Sequence, residues 1–78
     1  MELARAELKR GVVVVELLAL SGLVTSKGEA RRLIRGGGAR LNEQKVDDET
    51  MTVGLDHLVD GQLLLSAGKK RHARVRAV

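Results

Sequence analysis

Two kinds of hydrophobic spacing meet in this 78-residue chain near Gly38. Before that point the apolar positions follow a helical period. Ala30, Leu33 and Ile34 stand at i, i+3 and i+4 and form one stripe. Ser26 precedes them as a cap, with Glu29 three residues on to complete a capping box, and Gly36, Gly37 and Gly38 end the run. The spacing predicts a helix over 27–35 whose solvent side carries Lys27, Arg31, Arg32 and Arg35. Upstream, the β-branched run Val12–Val15 competes with the helical spacing of Val14, Leu17 and Leu18, which ends at Ser21-Gly22. The reading that satisfies both is an extended lead-in at Val12 and Val13 and a helix from 14 to 21. Residues 1–11 place Leu3, Ala4 and Leu8 on one side but offer no cap. They read as a linker or N-terminal arm, which leaves 12–78 as the domain.

After Gly38 the period changes to alternation. Ala39-Arg40-Leu41 and Lys45-Val46 flank Asn42-Glu43-Gln44 as a tight hairpin. Asp47 to Thr50 is a polar loop, Met51 to Val53 a short strand, and Asp60-Gly61 a turn. Gln62 to Ala67 reads as an apolar strand. Arg71 to Val78 reads as another, with Ala73, Val75 and Ala77 alternating against Arg74 and Arg76. Helices followed by several short strands predict an α+β fold, two packed helices on a small, mostly antiparallel sheet.

Charge is unevenly distributed. The net charge is +4, yet residues 27–45 alone carry net +4, residues 46–68 net −5 and the tail from Lys69 net +5. Two basic blocks that flank an acidic one predict a positive face if the fold unites them. The absence of cysteine removes disulfides and thiolate chemistry. The longest apolar runs, Val12–Val15 and Leu17–Leu20, fall far short of the ~20 residues of a spanning helix. With no basic-then-apolar leader at Met1 to Arg5, a cytoplasmic location is expected. His57 and His72 have no cysteine or close histidine partner, so no metal is expected. The glycines form no phosphate loop, and no serine has the histidine and acid of a triad, so neither cofactor nor catalysis is expected. Phe, Tyr and Trp are also absent, which leaves no platform for stacking single-stranded bases. Recognition of folded RNA by shape, through phosphates and 2′-hydroxyls, fits what remains.

The run V-E-L-L-A-L-S-G-L-V-T-S-K-G-E-A-R-R-L-I-R-G-G-G-A-R-L-N-E-Q-K-V resembles the αL RNA-binding motif first defined in a small-subunit ribosomal protein. The closing G-Q-L-L-L-S-A-G-K-K-R-H-A-R-V is similar to the C-terminal tRNA-binding domain of bacterial tyrosyl-tRNA synthetase. The resemblance extends over roughly residues 12 to 77. The resemblance implies a non-catalytic domain that grips tRNA, tRNA-Tyr by its long variable arm and anticodon-stem region. In the full-length family member its partners are a catalytic domain and, through that domain, a second copy in a homodimer. Carried onto matching positions, the RNA-facing residues are Ser26 and Lys27 at the helix start, then Arg31, Arg32 and Arg35. Arg40, Asn42 and Lys45 follow on the hairpin, and Lys69, Lys70, Arg71 and His72 at the last turn. Ser26 has a second role as helix cap. Glu43 departs from the family's Asn-Gly turn, which puts an ill-suited residue where the chain must turn tightly. Alternative readings are an αL module for ribosomal RNA, as on pseudouridine synthases or ribosome-associated proteins, and a helix-turn-helix DNA binder.

Overall fold

The contested run from Val12 to Val15 resolves as both kinds of structure. In a computed structural model that describes residues 1–78, Val12 and Val13 are extended and a helix begins at Val14. The element order is β1 (Glu2–Leu3), α1 (Arg5–Arg10), β2 (Val12–Val13), α2 (Val14–Leu20), α3 (Lys27–Arg35), β3 (Ala39–Leu41), β4 (Gln44–Lys45), β5 (Thr52–Val53), a 3-10 turn (Leu55–His57), β6 (Gln62–Ala67) and β7 (Arg71–Ala77). β2 pairs antiparallel with β5, setting Val12 opposite Val53. Its valines therefore meet a partner strand before the Val14 amide bonds to the Met51 carbonyl at 2.8 Å and the chain coils into α2.

α3 has the predicted bounds. The Ser26 side chain accepts from the Glu29 amide at 3.1 Å. The returning half of the cap differs by one residue, since the Glu29 carboxylate accepts from the Thr25 hydroxyl at 2.6 Å. That bond, more than any other influence, holds the Glu29 carboxyl below its ordinary pKa. The buried stripe of α3 is Ala30 and Ile34. Leu33 stands at its margin, half-buried and pressed on Gly38.

The main sheet has the order β1-β7-β6-β3-β4 and is antiparallel except where β1 joins β7. Its inner face sends Ala39, Leu41, Leu63, Leu65, Ala67, Val75 and Ala77 into one core with Leu17, Leu18, Ala30 and Ile34 from α2 and α3. This is the expected α+β architecture, with one more helix and two more strands than the periodicity resolves.

Residues 1–11 correct the expectation of an arm. Leu3 and Leu8 belong to the core, 5% and 1% exposed. β1 runs parallel to β7, with Glu2 opposite Arg76 and Leu3 opposite Ala77. A six-residue helix without a side-chain cap is marginal alone. Here tertiary contacts far along the sequence hold it. Gly11 ends α1 at φ 93°, so close to Thr52 that a β-carbon would strike the Thr52 side chain. That junction admits only glycine.

Candidate nucleic-acid interface

Alternation along β3, β6 and β7 decides which side chains leave the core, and register decides which of them meet. Arg40 on β3 is opposite Lys45 on one side and Ser66 on the other, and Ser66 is opposite His72. One row across the outer face thus reads Lys45, Arg40, Ser66, His72. Arg74 and Arg76 continue the same face along β7, opposite Leu64 and Gln62.

A concavity of about 650 Å³ opens over this row. Arg40, Leu64, Ser66 and His72 line it from the sheet, Gly37 and Gly38 from the end of α3, and Lys69 from the β6–β7 turn, with Glu43 at the hairpin. The two glycine-rich turns are tied together, since the Gly68 amide bonds to the Gly38 carbonyl at 2.7 Å. Gly37, at φ 78°, lies under the Lys45 side chain, whose Nζ is 3.4 Å from where a β-carbon would sit. Close passage of Lys45 over backbone is what the glycine permits here. The first basic block (Arg40, Lys45) and the second (Lys69, His72) therefore meet around one groove. Arg71 also approaches α3 closely enough that its charge, with that of Arg32, adds to the lowering of the Glu29 pKa. Lys70 is exposed on the same turn.

A second set of cations faces elsewhere. Lys27 and Arg31 line a smaller hollow of about 370 Å³ together with Val13, Val15, Glu16, Glu49 and Thr50. Arg35, one turn further, forks onto Glu49 with Nε at 3.0 Å and Nη2 at 3.1 Å from its two oxygens. Glu49 is presented by an ordered loop. The Asp48 carboxylate accepts from the Thr50 hydroxyl at 2.6 Å and the Thr50 amide at 2.9 Å. These two bonds, the hydroxyl's first, hold the Asp48 carboxyl below its ordinary pKa.

The remaining predicted residues have internal partners. Asn42 donates from Nδ2 to the His57 carbonyl at 2.6 Å and accepts at Oδ1 from the Leu64 amide at 3.0 Å. Both ends of its amide clamp the hairpin to β6 and the 3-10 turn. Ser26 is the α3 cap already described. His57 is structural, its Nδ1 accepting from the Gly54 amide at 3.0 Å. Sequence reasoning missed Ser66, Arg74 and Arg76 as members of this face. For the two arginines the signal was present, since they alternate in step with His72. For Ser66 it was hidden inside an apolar run.

The hairpin is as tight as expected, with Glu43 in the place of the family's glycine. Asn42 and Glu43 have φ of 51° and 70° and form the tight two-residue turn despite the missing glycine. Asn42 tolerates this region and is held there by its three bonds to Leu64 and His57. Glu43 takes the strained position with its side chain in solvent.

Comparison with known proteins assigns this architecture. The tyrosine–tRNA ligase SYY-like C-terminal domain family matches residues 2–75. Among curated proteins, the tyrosine–tRNA ligase of Rickettsia africae is 49% identical over 75 residues, which is 95% of this chain and 18% of the relative. That of Nitrobacter winogradskyi is 47% identical over 77 residues, again 18% of its length. That of Agrobacterium fabrum is 45% identical over 76 residues. The chain spans about 18% of the length of these relatives and matches their C-terminal, non-catalytic part. With its motif, fold and nearly complete coverage in agreement, the chain belongs to the family of tyrosine–tRNA ligase C-terminal domains.

Proposed function

We propose that this domain binds tRNA-Tyr for a tyrosine–tRNA ligase, holding the region of the anticodon stem and the long variable arm. The observation that carries the reading is the groove in which Arg40 from the first basic block meets Lys69 and His72 from the second. An aliphatic chain without aromatic side chains suits a folded, double-helical arm, whose phosphates and 2′-hydroxyls are accessible. Arg40, Lys45, Lys69, Lys70 and Arg71 supply the phosphate contacts. Arg32, Arg31 and Lys27 extend them along α3. Such contacts place the RNA without reading base edges, so selectivity comes from where the β6–β7 turn reaches on the variable arm. In the full-length ligase, working in the cytoplasm, the domain delivers the tRNA to a catalytic domain that forms the homodimer.

The test is binding of the 78-residue chain to a long-variable-arm tRNA transcript, a short-armed one, a ribosomal RNA fragment and duplex DNA. The long-armed tRNA should bind best. Neutralising four to six phosphates gives a slope of log K on log salt of roughly −3 to −5. Replacing Lys69, Lys70 and Arg71 together should reduce the preference for the long arm. Equal losses on both tRNAs would remove the variable-arm assignment. Preference for ribosomal RNA or duplex DNA would move the function to those ligands.

A further inference from the structure

Ser66 is the only buried polar side chain in the protein, 4% exposed in a strand otherwise built from Leu, Ala and Gln. It occupies the outer face of β6 between Arg40 and His72 and lines the groove. Its hydroxyl lies 3.0 Å from His72 Nδ1, its only hydrogen-bond partner. A buried hydroxyl requires an acceptor for its proton, and in the neutral ring only the unprotonated nitrogen accepts. The arrangement is satisfied when Ser66 donates to Nδ1 and the ring hydrogen resides on Nε2. His72 then keeps one free donor, and it lines the same groove as Arg40 and Lys69.

We propose that Ser66 is a positioning residue of the RNA site, which holds His72 as an Nε2–H donor to a phosphodiester oxygen in the groove. The proposal rests on the groove being the tRNA-binding surface. It gives the histidine a role that does not require a charge. His72 adds a neutral, directed hydrogen bond in the groove that Arg40 and Lys69 also line. It also accounts for a hydroxyl at a position where the neighbouring outer residue, Leu64, is apolar.

Two measurements on the 78-residue chain test this. Long-range proton–nitrogen NMR of the free chain, with His72 neutral, should show the hydrogen on Nε2. Ser66→Ala should release the ring to a mixture of tautomers, and Ser66→Thr should restore the single form. In binding to a long-variable-arm tRNA transcript, His72→Ala should cost roughly fivefold to tenfold, the worth of one hydrogen bond. Ser66→Ala should cost about twofold to fivefold, less than loss of the ring, because a ring released from Ser66 still makes the bond part of the time. Ser66→Thr should bind like the parent, and the double variant should bind no worse than His72→Ala alone. Additive losses, or a Ser66→Ala chain with unchanged tautomer and affinity, would overturn the positioning role. Arg40→Ala with Lys69→Ala separates this from the larger reading. If that pair leaves tRNA binding intact, the groove is not the RNA site and both fall. If it weakens binding while Ser66→Ala does not, only the role of Ser66 falls.

Discussion

The groove on the sheet and the outer stripe of α3 are equally basic in sequence and differ in what surrounds them. Around the groove, Arg40, Lys45 and Lys69 form no ion pair, and the one carboxylate among the lining residues is Glu43 at the hairpin. On the stripe, Lys27 and Arg31 share a hollow with Glu16 and Glu49, and Arg35 is the one Lys or Arg held in an ion pair. A phosphate entering the groove meets cations already free. One approaching Arg35 must first displace Glu49. Counting cations along a chain therefore overstates a site wherever a distant acidic segment folds back onto it.

The sharpest test of this contrast is charge reversal on each side. Arg40→Glu with Lys69→Glu should weaken tRNA binding about 100-fold, two charge-assisted contacts being lost. Arg31→Glu with Arg35→Glu should cost about tenfold, since one of the two was already paired. Titration of each double variant against the same transcript settles the order, and an inverted ranking would make α3 the principal surface.

α3 presents its basic stripe only while it is anchored, and its deep anchor is Ile34 more than Leu33. Ile34→Ala should destabilise the fold by ~2–5 kcal/mol, as for a buried aliphatic truncation. Leu33→Ala, at the margin against Gly38, should cost less than ~2 kcal/mol. Urea melts of the two variants would show equal losses if Leu33 were as deep as Ile34.

A smaller effect isolates the competition. Glu49→Gln removes the charge that Arg35 faces, at an exposed pair worth no more than about 1 kcal/mol. The variant should bind tRNA up to about fivefold more tightly at low salt, with the gain shrinking as salt rises. Unchanged affinity would show that Arg35 does not reach the RNA.

The smallest effect is acid sensitivity. The Asp48 and Glu29 carboxyls are held below their ordinary pKa in the fold. Their stabilisation is complete above the unfolded-state values and disappears as pH falls through the depressed folded ones. Thermal melts should therefore decline in acid. Thr50→Val should blunt the part due to Asp48, and an identical acid limb in that variant would exclude the loop as its source.

Most of this architecture could be read from local chemistry. The Ser26 cap, the glycines after Arg35 and the alternation from Arg71 onward each act over a few residues, and the corresponding elements have the predicted places. What escaped was set by distant partners. Leu3 and Leu8 gain their burial from β7 and the core, more than sixty residues away for the β1–β7 pair. Asn42 carries a side chain that suits RNA, but its amide is satisfied by His57 and Leu64. The pairing of Arg35 depends on the loop that Asp48 and Thr50 hold in shape. Ser66 was invisible for the opposite reason. Its meaning lies in the register of β6 against β7, which fixes its neighbour as His72.

The pairing of β1 with β7 has a mechanical side. The Met1 nitrogen bonds to the Arg74 carbonyl and the Arg76 amide to the Met1 carbonyl. At the other end of the pair, the Val78 amide bonds to Leu3 and the Arg5 amide to Val78. Because the strands are parallel, a pull that separates Met1 from Val78 slides one strand along the other. The bonds between them then share the load and do not open one after another. The strand that carries His72, Arg74 and Arg76 is thus stiffened against tension applied between Met1 and Val78.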